Sequence, residues 1–209
     1  MNIILVAATS FEIEPLTKHS NEFGFGKNTF QELITGVGMT ATAYALGREL
    51  ALREYDLAIN AGIAGAFDRS LKLGEVVNVK LDNFLELGAE DGDKFISIDE
   101  LGLGKCGIKP SYPYENTIVD TLKMVRSVTV NKVHGNDESI YSTVSRLNPD
   151  VESMEGAAFF YACNEVNLPC LQLRAISNYV ERRNRESWNM PLAITNLNNI
   201  LIEILTKLP

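Results

Sequence analysis

Three carboxylates and one polar pair stand beside apolar segments, where a fold can bring them together. Glu12 follows the apolar N-terminal run, and Glu152 and Glu155 precede a stretch of small and aromatic residues that predicts a buried helix. Ser177 and Asn178 end an apolar run that predicts a core strand. Because open α/β sheets bind ligands at the C-terminal ends of their strands, this pair is a candidate for ligand contacts. Taken alone, an acid near a helix start more often stabilises the helix than performs chemistry.

The elements that would position these residues alternate between strands and helices, which predicts an α/β architecture with a largely parallel, twisted sheet. We predict strands over residues 2–8, 29–35, 56–60, 76–80, 126–131 and 171–177. We predict a short helix that carries Glu12 and has Ser10 as its N-cap, and further helices over residues 39–53, 136–147 and 190–208. Another helix is predicted to end before Pro169. The acidic, glycine-rich segment 82–113 has no clear period and is interpreted as irregular surface structure.

Composition limits the possible classes of protein. A chain of 209 residues that is 45% hydrophobic predicts one domain over residues 1–209. A net charge of -8 argues against a nucleic-acid surface. The N-terminal run has neither the basic leader of a signal peptide nor the length of a membrane span. Two histidines and three cysteines without metal-ligand spacing make a metal site improbable, and an odd number of thiols suits the reducing cytoplasm.

Five segments together resemble one family, the purine nucleosidases and nucleoside phosphorylases of the methylthioadenosine/S-adenosylhomocysteine nucleosidase type. They follow the order and approximate spacing of that family and span most of the chain except residues 81–127. Each motif is weak alone, but five in register are a strong signal. The segments are Glu12, TGVGM at 35–39, NAGIAGA at 60–66, SMEGAA at 153–158 and RAISN at 174–178.

The resemblance implies a three-layer αβα sandwich of the nucleoside phosphorylase type with a mixed, largely parallel central sheet. It also implies at least a homodimer, because members of the family commonly complete their sites from a neighbouring subunit. The implied ligand is a purine nucleoside, and no cofactor is expected.

The resemblance further implies a role for each matching residue. Glu12 aligns with the acid that activates water, and Glu155 with the glutamate that binds ribose. Glu152 lies outside the tighter acid-x-acid pattern of the family and is interpreted as structural. The remaining candidates are Met154 against the sugar, Ser177 and Asn178 at the base, Trp188 over the base or the 5′ substituent, and Ala8 and Ile63 as contacts near the ribose and base.

The resemblance suggests a substrate class through Asn178. Adenine-cleaving relatives carry an aspartate where this chain has Asn178, so the amide suggests a 6-oxopurine and release of hypoxanthine. Within the family, ISN at 176–178 followed by Arg182, Arg183 and then Trp188 most resembles the futalosine hydrolases of menaquinone biosynthesis, whose substrate carries a benzoate on its 5′ arm. Arg182, Arg183 and Arg185 could pair with that carboxylate or form only a solvated basic run.

Other functions stay open at this point. An adenine-releasing nucleosidase that acts on methylthioadenosine, S-adenosylhomocysteine or aminodeoxyfutalosine is the first alternative. Related phosphorylases carry an arginine before the glycine-rich turn to hold phosphate, and Asn60 at that place favours hydrolysis over phosphorolysis. A non-catalytic nucleoside-binding protein is disfavoured because both Glu12 and Glu155 are present.

Overall fold

The structure, a computed structural model, describes residues 1–113 and 116–208. The strands are β1 Asn2–Ala7, β2 Thr29–Ile34, β3 Leu57–Ala66, β4 Val76–Phe84, β5 Gly88–Asp91, β6 Lys94–Ser97, β7 Gly107–Ile108, β8 Lys123–Thr129, β9 Val151–Ser153 and β10 Cys170–Tyr179. The helices are α1 Ser10–Phe23, α2 Met39–Leu50, α3 Thr117–Thr121, α4 Asp137–Leu147, α5 Gly156–Glu165 and α6 Met190–Thr206.

The central sheet is mixed and largely parallel, as predicted. Its strand order is β10-β4-β8-β9-β3-β1-β2, and β10 also pairs with β3, so five strands close on themselves while β1 and β2 extend from β3. The pairs β1–β2, β1–β3, β3–β10, β4–β8 and β8–β9 are parallel, whereas β4–β10, β3–β9 and β4–β7 are antiparallel.

Each face of the sheet has its own apolar core, which confirms the three-layer αβα sandwich. In β1, Ile3 and Leu5 pack with α1 and α6, whereas Ile4 and Val6 pack with α2 and α5 on the opposite face. All four side chains are fully buried. A strand covered on both faces must be apolar at every position, which explains the unbroken hydrophobic run at the N-terminus.

Several predicted boundaries are wrong. The strand predicted to end at residue 60 continues to Ala66, because its glycines accommodate large neighbours inside the sheet rather than making a turn. Thr9, not Ser10, is the N-cap of α1, and this helix has 14 residues and is not short. The segment 82–113 is not wholly irregular: β4 extends through its start, and a β5–β6 hairpin and β7 follow.

The remaining boundaries differ in smaller ways. The strand predicted over residues 126–131 is β8, which spans Lys123–Thr129 and so begins and ends earlier than predicted. The helix predicted over residues 39–53 ends at Leu50. A short strand, β9, precedes α5 where only acids before a helix were expected. Among the described residues, no helix is both long and apolar enough to cross a membrane.

The buried carboxylate of Asp82 shows why β4 extends into the segment interpreted as irregular. Its Oδ1 accepts from Thr129 Oγ1 at 2.8 Å, and its Oδ2 accepts from Gln172 Nε2 at 3.0 Å. Thr129 Oγ1 in turn accepts the N–H of Ala157 at 2.8 Å, near the start of α5. A polar group in a core is tolerated when it is hydrogen-bonded, and this network ties β4, β8, β10 and α5 together.

We predict that Gly156→Ala destabilises the fold. A Cβ at this position would lie 1.9 Å from Gln172 Oε1 and 2.1 Å from Asp82 Oδ2, so the network must shift. Overpacking of this kind costs about 1–3 kcal/mol. Urea denaturation would measure the free energy of unfolding. Gly104→Ala is the matched control, since its Cβ would contact the side chain of Ile98, whose nearest atom is the movable Cδ1 at 3.3 Å. Equal stability of the two variants would contradict the role of the network.

Candidate active site

A cavity of about 260 Å³ lies at the C-terminal ends of β1, β3 and β10 and beside β9. This volume is near the lower end of those typical of small-molecule sites. All eight residues predicted from the sequence line it. They are Ala8, Glu12, Ile63, Met154, Glu155, Ser177, Asn178 and Trp188. The cavity therefore brings together side chains that lie up to 180 positions apart in the chain.

Glu12 is placed by the first turn of α1 and performs two structural tasks. Its Oε2 accepts the backbone N–H of Thr9 at 3.0 Å, which satisfies one of the N–H groups at the helix start. Its Oε1 accepts the N–H of Ile63 at 3.2 Å, on β3. The helix-capping role and the position in the cavity are thus combined in one side chain, which is 9% exposed.

Glu155 lies between β9 and α5 and faces the start of α2. Its Oε1 accepts the N–H of Gly38 at 3.0 Å, and its Oε2 accepts the N–H of Met154 at 3.3 Å. Gly38 is the N-cap of α2 and has a φ of 98°, which favours glycine. The glycine-rich TGVGM segment therefore positions a carboxylate of the cavity.

Arg174 was quoted in a motif but was given no role from the sequence, and the structure places it between the two glutamates. It is 1% exposed, its Nη2 lies 4.0 Å from Glu155 Oε2, and it donates to Asn60 Oδ1. A Cβ on Gly62 would lie 2.6 Å from Arg174 Nη1 and 2.9 Å from Glu12 Oε1, so both groups occupy the space that this glycine leaves. A lone arginine within an apolar run was the signal available in the sequence, since a buried charge requires a partner.

The electrostatics of Glu12 result from opposing effects. Burial raises its pKa above the usual 4.5, and the positive charge of Arg174 opposes this rise. The N–H of Ile63 and that of Thr9 also favour the charged form, whereas the negative charge of Glu155 disfavours it. The net pKa is raised, which suits a group that must take up a proton.

Ser177 and Asn178 reach the cavity through an irregularity in β10. The register with β3 shifts between Ile176 and Asn178, so Ser177 is an extra residue in the ladder. Bulges of this kind redirect side chains. Ser177 Oγ lies 3.2 Å from the carbonyl oxygen of Ala64 and 2.8 Å from Asn178 Oδ1, which fixes the amide beside the cavity.

Glu152, interpreted from the sequence as structural, also lines the cavity and is 4% exposed. Its Oε1 accepts the N–H of His134 at 3.0 Å, and its Oε2 contacts the Nδ1 of the same residue. His134 Nε2 lies 2.9 Å from Thr143 Oγ1, and its ring packs edge-on against Phe67. The contact with His134 gave no signal in the sequence because the two residues belong to separate elements.

Trp188 lies at the cavity beside two of the three arginines singled out in the sequence. The guanidinium carbons of Arg183 and Arg185 lie 5.4 Å and 5.9 Å from its ring centroid, within the range of cation–π contacts. Neither arginine lines the cavity. Among the described residues, the lining includes three glutamates and no lysine or arginine.

Comparisons with known proteins identify the family to which the chain belongs. The sequence profile of the Phosphorylase superfamily matches residues 2–206. Futalosine hydrolase from Thermus thermophilus is 28% identical over 184 residues, which cover 85% of this chain and 82% of the relative. Futalosine hydrolase from Acidothermus cellulolyticus is 31% identical over 173 residues, covering 79% and 70%.

A solved structure has the same fold. The 5′-methylthioadenosine/S-adenosylhomocysteine nucleosidase of Helicobacter pylori, crystallised with butyl-thio-DADMe-Immucillin-A, superposes with a TM-score of 0.85 at 16% identity, over 100% of this chain and 99% of that one. The resemblance stated from the sequence is confirmed. The chain belongs to the phosphorylase superfamily, and within it to the group that includes the futalosine hydrolases.

Proposed function

We propose that this protein hydrolyses the N-glycosidic bond of futalosine and releases hypoxanthine. The observation that carries the proposal is the cavity in which Glu12, Glu155 and Asn178 meet. The similarity to two futalosine hydrolases supports it. The three buried, free cysteines are compatible with a cytoplasmic location, which is part of the proposal.

The reaction requires three things of the protein. As the C1′–N9 bond breaks, positive charge develops on the ribose, and the purine takes up the bonding electron pair. A water on the opposite face must add its oxygen to C1′ and lose a proton. The purine accepts a proton from solvent at N7 and leaves as a neutral base, and the protein must hold the resulting N7–H.

Glu12 takes the proton from the attacking water in this proposal. Its raised pKa makes it a stronger base than an exposed glutamate, and the positive charge of Arg174 keeps the carboxylate available in its ionised form. Glu155 binds the ribose hydroxyls, with Met154 against the sugar. Because Glu155 is negative and held by the N–H of Gly38, its hydrogen bonds to the hydroxyls strengthen as positive charge develops on the ring.

Charge favours water over phosphate as the attacking group. The part of the cavity lining that the structure describes has three carboxylates and no cationic side chain, which is unfavourable for a phosphate dianion. Asn60 lies where related phosphorylases carry an arginine, and its amide is used to hold Arg174 and to donate to the carbonyl of Val6 at 2.9 Å. Hydrolysis is therefore the proposed reaction.

The decisive assay measures base release by the purified protein from futalosine, aminodeoxyfutalosine, methylthioadenosine and inosine, with and without phosphate. We expect hypoxanthine from futalosine at a rate independent of phosphate, and a free sugar as the second product. Formation of a sugar 1-phosphate would assign the protein to the phosphorylases. Equal cleavage of methylthioadenosine would assign it to the adenine-releasing nucleosidases.

The 5′ arm can be tested in the same assay. If the 5′ arm of futalosine extends out of the cavity past Trp188, the carboxylate at its end would approach Arg183 and Arg185. Replacing both arginines by glutamine should raise KM for futalosine but not for inosine, which lacks the arm. Equal effects on both substrates would show that the basic run is only a solvated surface.

We predict that Glu12→Gln lowers kcat by about 10²–10⁴, the usual contribution of a general base. Because the pKa of Glu12 is raised and the ionised form is the active one, kcat/KM of the unmodified enzyme should fall as pH drops through a value above 4.5. This acidic limb should be absent in the variant. Stopped assays across pH 4–9 on both proteins, with Glu14→Gln as an exposed control on the same helix, measure this. A retained limb would remove Glu12 from the mechanism.

We predict that Asn178→Asp shifts the ratio of kcat/KM values toward 6-aminopurine substrates. A 6-oxopurine protonated at N7 presents one donor and one acceptor, N7–H and O6, which an amide matches. A protonated 6-aminopurine presents two donors, which a carboxylate matches. The ratio for futalosine and aminodeoxyfutalosine would be measured in both proteins. An unchanged ratio would exclude Asn178 from recognition of the base.

A homodimer is also part of the proposal. An exposed apolar surface on α2 and α5 includes Tyr44, which is 71% exposed, and Tyr161, which is 49% exposed. It is lined by Met39, Thr40, Ala43, Tyr44, Phe84, Ala158 and Tyr161. The neighbouring Val37 is 58% exposed and lines the cavity, so a subunit bound on this surface would reach the site.

We predict that Tyr44→Asp weakens this dimer, because a charge at an apolar interface costs desolvation. Light scattering after size exclusion should give a dimer for the unmodified protein and a larger monomer fraction for the variant. Tyr141→Asp, on the exposed side of α4, is the control. A monomeric unmodified protein would contradict the proposal.

A further inference from the structure

Glu152 faces the same cavity as Asn178 but has no role in the mechanism above. It lies on β9, directly opposite Gly65 of β3, and Asn178 of β10 is the partner of Gly65 on the other side. The three residues therefore form one row across adjacent strands. Two strand spacings separate the outer members by about 10 Å.

The middle of this row has no side chain. A Cβ on Gly65 would lie 3.0 Å from Val180 Cγ2, 3.2 Å from Asn178 Nδ2 and 3.5 Å from Glu152 Cγ, so the side chains of Asn178 and Glu152 converge at the glycine with Val180 beside them. Gly65, Asn178 and Glu152 all line the cavity, so a purine bound in it can contact both side chains. With the N7 and O6 edge of a purine toward Asn178, its N1 edge turns toward Glu152.

The carboxylate of Glu152 is held in place but not saturated. The backbone N–H of His134 donates to Oε1 at 3.0 Å, and the ring Nδ1 meets Oε2. Since a carboxylate only accepts, the proton between Nδ1 and Oε2 belongs to the imidazole, which Thr143 Oγ1 contacts at Nε2. Two carboxylate oxygens offer about four acceptor positions, and two of them are used.

We infer that Glu152 determines specificity for the 6-oxopurine by accepting the N1–H of the base. This inference rests on the proposed function and adds a second contact to the base. A 6-oxopurine carries a hydrogen on N1, whereas N1 of adenine is an acceptor. The carboxylate accepts the N1–H of a 6-oxopurine and repels the lone pair on N1 of adenine. Asn178 alone does not discriminate between the two bases in this way, because its amide can also pair with adenine. His134 is a positioning residue that keeps the carboxylate oriented toward the base.

The first test uses the unmodified protein and three free bases. We expect hypoxanthine to bind at least about 10-fold more tightly than adenine or 1-methylhypoxanthine, in line with loss of a hydrogen bond to a charged group. Titration calorimetry measures the three Kd values. Equal affinity for hypoxanthine and 1-methylhypoxanthine would overturn the inference without any variant.

The second test separates hydrogen bonding from the bulk of the added methyl group. In Glu152→Gln we expect kcat/KM for futalosine to fall about 10- to 100-fold, while that for aminodeoxyfutalosine is unchanged or rises, because an amide can donate to N1 of adenine. Preference for hypoxanthine over adenine should shrink in the same variant. Glu165→Gln, an exposed carboxylate at the end of α5, is the control.

The outcomes distinguish this inference from the proposed function. An equal fall for both substrates would show that Glu152 only holds the loop of His134, and an unchanged ratio would show that it does not meet the base. Either result overturns the inference while futalosine hydrolysis by the unmodified protein stands. Absence of base release from futalosine by the unmodified protein would overturn the proposed function itself.

Discussion

The buried guanidinium of Arg174 is the constraint on which the site depends. A charge removed from water must be paired and hydrogen-bonded, and here the partners are Glu155, the amide of Asn60 and, through its field, Glu12. Arg174 is the register partner of Gly62 in the β3–β10 ladder, so the missing side chain of one strand makes room for the large side chain of the next. The charge balance of Glu12 and Glu155 is therefore built into the pairing of two core strands.

The same principle operates at the other buried polar positions. Asp82, Gln172 and Thr129 form a network that anchors the start of α5, and Gly156 leaves the space for it. Glu152 and His134 form a second pair beside the cavity. In each case a small residue or a neighbouring donor makes burial of a polar group tolerable. These contacts join elements that are distant in the sequence, which makes the cavity a product of the whole sheet.

The fold class and the residues of the cavity could be predicted because they depend on local patterns and on motif order. The unbroken apolar run of β1 and the alternation of elements indicate a covered sheet, and Glu12, Glu155 and Asn178 are marked by their motifs. The role of Arg174 and the partners of Glu152 could not be predicted, because they depend on register between strands far apart in the chain. The continuation of β3 through Gly62 was missed for a similar reason. A glycine in a sequence favours a turn unless the neighbour that fills its space is known.

The central claim is that the charge of Arg174 lowers the pKa of Glu12 against the effect of burial. It is tested most directly by following the carboxyl carbon of Glu12 by NMR as a function of pH, with Glu12→Gln used to assign the signal. In Arg174→Gln the pKa of Glu12 should lie above that of the unmodified protein, and in Arg174→Lys, which retains a positive charge, it should rise less. A pKa that is unchanged or lower in Arg174→Gln would contradict the account.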